Sequence, residues 1–162
     1  MPHTIFGTRN VFLYWAGKEY KLISILRDRI LSHSRNGVGY MAHLITDQNI
    51  RDYVTTIPPY FHQLHPAHQA DYVRVHVVCD YGGIWLDSDT LVMDSLDTLF
   101  DIIDDQDGFF VQETDPSHPD PALQKILWNG VFGSKKKHSL DVGMESATGH
   151  YSGQQKTKHR LV

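Results

Sequence analysis

The segment 66–89 constrains the fold more than any other part of this sequence. Pro66 suits the first position of a helix, and the Gly-Gly pair at 82–83 suits its end, because glycine readily adopts the backbone angles that terminate helices. Alanine or valine stands at positions 67, 70, 73, 75, 77 and 78, which leaves little polar face and predicts a helix buried on most sides. Residues 84–86, Ile-Trp-Leu, then predict a short buried strand that ends at Asp87. A helix that leads into such a strand is typical of an α/β sheet.

The rest of the chain alternates between strand-like and helix-like patterns, which favours an α/β sheet with helices on its faces. We find no internal repeat and no Pro/Gly/Ser-rich linker, so one domain spanning 1–162 is predicted. The polar stretch 149–162 has no pattern and is expected to fray. The other predicted elements are strands at 11–15, 39–45, 108–112 and 130–133, helices at 20–34 and 96–103, and a weaker helix at 48–54.

Composition excludes several classes of protein. The net charge of −4 argues against a bulk electrostatic grip on nucleic acid or anionic lipid. No apolar run is long enough to span a bilayer, and the N-terminus lacks the pattern of a signal peptide. A cytoplasmic protein is therefore expected. The single cysteine, Cys79, cannot form an internal disulfide, and its apolar neighbours predict a buried thiol.

Asp87-Ser88-Asp89 follows a predicted strand directly, at the edge where α/β sheets bind ligands. Two carboxylates this close repel each other unless a positive charge lies nearby. Mg²⁺ typically takes one or two protein carboxylates and completes its coordination with water and phosphate oxygens. The turn is thus suited to a metal–diphosphate ligand, although so short a pattern is also typical of a solvated turn.

Asp71 and Arg74 lie three residues apart, on one face of the apolar helix. A surface ion pair would contribute little to stability. On so apolar a helix, a buried or cleft-facing pair is the better prediction, and it favours a role in ligand binding.

Residues 69–91, QADYVRVHVVCDYGGIWLDSDTL, resemble the signature of the sugar-binding glycosyltransferases that contain an Asp-x-Asp motif. Their pattern is (Ala/Ser)-Asp-x-x-Arg, an apolar helix, then Tyr-Gly-Gly-(Ile/Val)-(Tyr/Trp)-Leu-Asp-x-Asp. The family includes yeast mannosyltransferases that initiate outer chains, bacterial capsule enzymes and, more distantly, glucosylating clostridial toxins; this chain looks like the compact viral and phage copies. The resemblance covers 61–100 well and is weaker at 128–130. The matching positions are Asp71, Arg74, Gly82, Gly83, Asp87 and Asp89.

The resemblance implies the GT-A fold, a mixed and mostly parallel central sheet with flanking helices. It implies a metal-dependent enzyme that transfers a hexose from a nucleotide-diphosphate sugar to a glycan or another hydroxyl acceptor, with retention of configuration. The expected donor is a UDP-sugar or a GDP-sugar, with UDP preferred, and the expected metal is Mn²⁺ or Mg²⁺.

The resemblance also implies roles for individual residues. Asp89 would ligate the metal together with Asp87, and Asp87 would also contact the ribose or the sugar. Asp71 and Arg74 would hold sugar hydroxyls and the diphosphate. Asp71, Arg74 and Asp87 are therefore the candidate catalytic residues.

Further donor contacts are expected from Ser88 and from Asn129, which matches a later asparagine-containing strand of the family. Trp15, or Tyr14 beside it, ends the first predicted strand, where the family binds the nucleobase; a core aromatic is the alternative. Family members usually continue well past this length, and their later part supplies acceptor contacts and often a further metal ligand. The expectation is that those parts are truncated here or lie on another segment, with the late histidines as candidate ligands: His138, His150 and His159.

Two other functions remain open at this point. A phosphohydrolase of the Asp-x-Asp-x-Thr kind would use its first aspartate as nucleophile, but Leu91 stands where the threonine belongs. Such enzymes also place the motif on their first strand, whereas roughly half of this chain precedes it. A non-catalytic nucleotide-sugar or carbohydrate binding module is favoured only by the short C-terminal part.

Three other clusters are better explained without chemistry. His62, His65 and His68 recur every third residue, but Pro66 interrupts the geometry and no cysteine accompanies them, which favours a loop and helix start over a zinc site. The acidic residues at 94–107 indicate a solvated helix face. The lysines at 135–137 indicate an exposed turn.

Overall fold

The fold comprises five strands and three helices within the described residues. A computed structural model describes residues 9–18, 20–32, 39–121 and 124–136. Two single 3₁₀ turns, Ile50–Asp52 and Phe61–Gln63, lie in the connection before the second helix. The strands are β1 (Asn10–Trp15), β2 (Met41–Thr46), β3 (Gly83–Leu86), β4 (Gly108–Thr114) and β5 (Lys125–Ser134), and the helices are α1 (Lys21–Ser32), α2 (Pro66–Tyr81) and α3 (Asp97–Gln106).

The strands form one mixed sheet in the order β2-β1-β3-β5-β4. β2, β1 and β3 are parallel neighbours, whereas β5 pairs antiparallel with both β3 and β4. Four of the five strands therefore run in one direction. The predicted α/β class, with a mixed and mostly parallel sheet and flanking helices, is confirmed and is consistent with a GT-A-like fold.

Helices cover both faces of the sheet and create two separate cores. On the α2 face, Phe12 and Trp85 pack with Val73 and Val77 of the helix. The opposite core contains residues of α1 and α3, among them Ile30 and Phe100. Because β1 and β3 are parallel, their carboxyl ends open at the same edge of the sheet.

The Gly-Gly pair at the end of α2 allows β3 to approach β1 closely. Gly82 and Gly83 have φ angles of +70° and +124°, which other residues rarely adopt. A Cβ at Gly83 would lie 2.3 Å from the carbonyl oxygen of Asn10. The glycines are therefore required by both conformation and space, and they fix where β3 begins.

Three of the predictions made from the sequence differ from the structure. The weaker helix at 48–54 is the short 3₁₀ turn Ile50–Asp52 rather than an α-helix. α2 is not buried on most sides, since Val75 is 57% exposed, and the thiol of Cys79 is exposed as well. Apolar residues recur all around α2, but the sheet covers one side of it, which the composition of the helix does not reveal.

Two further findings bear on the earlier predictions. No helix within the described residues is both long and apolar enough to cross a membrane. The predicted fraying of 149–162 and the late histidines His138, His150 and His159 lie outside the described residues, as does Lys137.

Candidate active site

A cleft of about 370 Å³, termed the first cleft, lies at the edge where β1 and β3 end, against the first turns of α2. Its location follows from the parallel pairing of β1 with β3, which places both carboxyl ends together. The first cleft brings together six of the predicted site residues: Tyr14, Trp15, Arg74, Asp87, Ser88 and Asp89.

Small residues make room for the first cleft. Ala67 and Ala70 lie one helical turn apart on α2, and Ala16 follows the end of β1. None of them was predicted as a site residue. The signal available in the sequence was the Ala-x-x-Ala spacing at the start of α2, which places two short side chains on one helix face.

Arg74 connects most of the predicted charged residues. It is only 6% exposed, and its Nη2 lies 3.2 Å from Asp71 Oδ1 and 3.4 Å from Asp87 Oδ1. Its guanidinium carbon lies 5.2 Å from the centre of the Trp85 ring, and its Nη1 donates to the carbonyl oxygen of Asn129. A buried guanidinium with this many partners is held in one geometry. The cleft-facing pair predicted from the Asp71–Arg74 spacing is therefore present.

Asp87 offers one engaged oxygen and one open oxygen. Its Oδ1 accepts a 2.8 Å hydrogen bond from Trp85 Nε1 and faces Arg74, while its backbone N–H donates to the carbonyl of Gly130. Its Oδ2 has no protein partner among the described residues; a Cβ on Gly130 would lie 2.9 Å from it. Glycine at 130 therefore keeps the open oxygen accessible.

Ser88 and Asp89 continue from Asp87 in a tight turn, which the Thr90 N–H closes by donating to the Asp87 carbonyl at 2.9 Å. Asp89 is exposed, so it is accessible to a ligand. No group of three or more His, Cys, Asp or Glu side chains in the described part of the chain could hold a metal by itself. Asp87 Oδ2 and Asp89 instead fit a divalent cation that shares its coordination with phosphate oxygens.

The two aromatic candidates at the end of β1 have different surroundings. Tyr14 is 4% exposed, and its hydroxyl lies 2.8 Å from Gln69 Oε1 and 3.0 Å from Asp47 Oδ1. Burial, with Asp47 adding to it, raises the pKa of this phenol, so it stays protonated. Trp15 is only partly buried, and its Nε1 donates to the Lys18 carbonyl. Trp15 is thus the more accessible of the two for a base, and its stacking role stays a prediction.

Asp71 and Asn129 lie beside Arg74 but not in the first cleft. The Asn129 amide nitrogen donates to Asp71 Oδ1 at 3.2 Å, although the two residues are 58 positions apart. Both line a second cleft, also about 370 Å³, which shares Arg74 with the first. The structure thus places these two predicted residues outside the first cleft, although both contact Arg74.

The remaining clusters have structural surroundings. His65 Nδ1 accepts from the Ala67 N–H at 3.3 Å and so caps α2, and His62 lies 3.9 Å from Asp47. Lys135 pairs with Asp107 at 2.8 Å, and this contact raises the pKa of the lysine.

A protein-family model described as "capsular polysaccharide synthesis protein" matches residues 2–160, nearly the whole chain. No curated protein and no solved structure gives a significant match. The family match covers β1, α2 and β3, and therefore every residue that lines the first cleft.

Proposed function

The chain belongs to the family of capsular polysaccharide synthesis proteins, and on that premise we propose that it is a glycosyltransferase. Its donor would be a nucleotide-diphosphate hexose and its acceptor a hydroxyl group of a glycan. The observation that supports this most is the junction of Arg74 with Asp87 in the first cleft, beside the exposed Asp89.

The first cleft offers groups that suit the base and the diphosphate of such a donor. The accessible ring of Trp15 suits a nucleobase, with uridine as our preferred base. Asp87 Oδ2 and Asp89 suit a divalent cation, Mn²⁺ or Mg²⁺, that is shared with the diphosphate. Arg74 supplies a fixed positive charge, and Ser88 can hydrogen-bond the donor from the same turn.

Transfer breaks the bond between the anomeric carbon and the diphosphate, and the electron pair leaves with the phosphate oxygen. A new bond forms between the anomeric carbon and the acceptor oxygen, whose proton is lost to solvent. A bound cation would stabilise the charge of the departing diphosphate as a Lewis acid. Arg74 adds electrostatic stabilisation that needs no reorganisation, because its partners hold it in place. We propose retention of configuration and assign no nucleophile.

Nucleotide-dependent thermal stabilisation tests this proposal. The melting temperature would be measured with UDP and Mn²⁺, with UDP alone, and with GDP and Mn²⁺. A ligand at a hundred times its Kd adds about 2.7 kcal/mol, which raises the Tm of a domain this size by roughly 5–10 °C. We expect that rise with UDP and Mn²⁺ together, and little with UDP alone.

Two variants make the test specific. Asp89→Ala should abolish the metal-dependent rise, because it removes an exposed ligand without disturbing the core. Asp105→Ala, which removes an exposed carboxylate from α3, is the matched control and should keep the full rise. If neither nucleotide raises the Tm with metal present, the transferase proposal fails, and hydrolysis of phosphate monoesters becomes the next assay.

A further inference from the structure

The second cleft adjoins the first but has a different character. Its lining within the described residues combines the polar side chains of Asp71 and Asn129 with an apolar wall that includes Val75, Phe110 and Phe132. Phe110 stacks on Phe132 with ring centres 5.3 Å apart and an interplanar angle of 7°, yet Phe110 remains 59% exposed. An exposed aromatic face therefore lies beside a set of hydrogen-bonding groups.

The charges of the second cleft cancel. Asp71 and Arg74 are the charged residues of its described lining, and they pair with each other at 3.2 Å. The described lining of the second cleft thus carries no net charge, whereas the first cleft contains Asp87 and Asp89, where a cation could recruit a phosphate. A neutral ligand is thus better suited to the second cleft than an anionic one.

Asp71 retains hydrogen-bonding capacity toward the second cleft. Its Oδ1 is engaged by Arg74 and Asn129, whereas its Oδ2 has no protein partner among the described residues. The side chain is 49% exposed. A carboxylate oxygen, an amide and an apolar aromatic surface together suit a pyranose ring, which presents hydroxyl groups at its edge and C–H groups on its faces.

We infer that the second cleft binds a neutral hexose unit of the glycan acceptor. This inference rests on the proposed function, since it assigns the diphosphate donor to the first cleft. Arg74 lines both clefts, so its side chain lies between a ligand in the second cleft and the part of the first cleft that contains Asp87. An acceptor hydroxyl would be delivered to the donor from that side.

Cys79 provides a direct probe of occupancy. It is the single cysteine of the chain, its thiol is exposed, and it lines the second cleft. The rate of its reaction with a thiol reagent would be measured with UDP and Mn²⁺ present and with added methyl hexosides of glucose, galactose or mannose. We expect at least one neutral hexoside to slow the reaction fivefold or more, and glucuronic acid, matched in size but anionic, to have little effect.

A pair of variants gives a second readout. Phe110 and Leu127 are equally exposed, at 59% each, but Leu127 does not line the second cleft. Phe110→Ala should raise the KM for a glycan acceptor at least fivefold, and Leu127→Ala should leave it unchanged. Both variants are first checked for the nucleotide-dependent rise in Tm, which reports an intact first cleft.

The outcomes separate the two proposals. If the wild type shows no nucleotide-dependent rise in Tm, the proposed function fails. If that rise is present but no hexoside protects Cys79 and Phe110→Ala keeps the wild-type KM, the acceptor site alone is wrong. A thiol that reacts slowly in the free protein would also overturn it, because the cleft would then be covered by protein.

Discussion

Strands β1 and β3 are buried much more deeply than the outer part of the β4–β5 pair. Every residue of β3 and all but the last of β1 are buried, and helices pack on both faces of these parallel strands. The first five residues of β5 are exposed, and the first four of them pair with the outer part of β4. We call β2, β1 and β3 the buried half, in which β2 contributes the buried residues His43 and Ile45, and we call β4 and β5 the exposed half.

The candidate site lies where the two halves meet. Asp87 follows the buried half, so its position is set by a fully packed strand. Asn129 belongs to the exposed half, where the pairing of β4 with β5 shifts register after Phe110. Arg74 joins them, since it contacts the Asp87 carboxylate and donates to the Asn129 carbonyl. Arg74 therefore contacts a carboxylate that follows a fully packed strand and a backbone carbonyl that belongs to an exposed one.

The largest effect is expected from added bulk in the buried half. Gly83→Ala would place a Cβ 2.3 Å from the Asn10 carbonyl oxygen at a φ of +124°. Overpacking against backbone and an unfavourable φ together should lower the free energy of unfolding by roughly 3 kcal/mol or more. Gly39→Ala is the control, because a Cβ there meets nothing within 4 Å. Equal urea midpoints for the two variants would contradict the close packing of β3 on β1.

The second prediction concerns pH and the buried half. His43 on β2 is 5% exposed and stacks on Phe12 at 5.0 Å, and burial lowers its pKa to about 4. The unfolded chain has a histidine pKa near 6.5, so it binds the extra proton first as the pH falls. The free energy of unfolding should therefore decrease below pH 6.5 and lose about 3 kcal/mol from this residue by pH 4.

Urea unfolding of the wild type and of His43→Gln between pH 8 and pH 4.5 measures this contribution. At pH 8 the difference between the two proteins gives the cost of the substitution itself. That difference should shrink as the pH falls, because the variant lacks the titrating ring. Two curves that stay parallel over the whole range would show that His43 titrates normally.

The smallest effect is expected in the exposed half. Leu127 on β5 is 59% exposed, so Leu127→Ala should change the free energy of unfolding by less than about 0.5 kcal/mol. The measurement is the urea midpoint relative to wild type. A loss of 2 kcal/mol or more would mean that Leu127 is packed in the protein in solution, and the contrast between the two halves would not hold.

Local signals explain which predictions succeeded. The helix start at Pro66 and the stop at Gly82 depend on backbone preferences of neighbouring residues, so α2 and β3 were predicted nearly to the residue. The same holds for Asp87 at a strand end. The prediction of a helix at 48–54 was wrong because that segment lacks such signals. The prediction of a buried Cys79 was wrong because the exposure of its side chain depends on what packs against α2.

The sequence by itself determined the order of the elements, the glycine turn between α2 and β3, and the carboxylates that follow it. Only the tertiary structure decided that β5 inserts antiparallel between β3 and β4. That insertion brings Asn129 to Asp71 and Arg74 and separates two clefts around one guanidinium. The physical reason is range: capping and periodicity act over a few residues, whereas strand order and side-chain contacts across 55 positions depend on how whole layers pack.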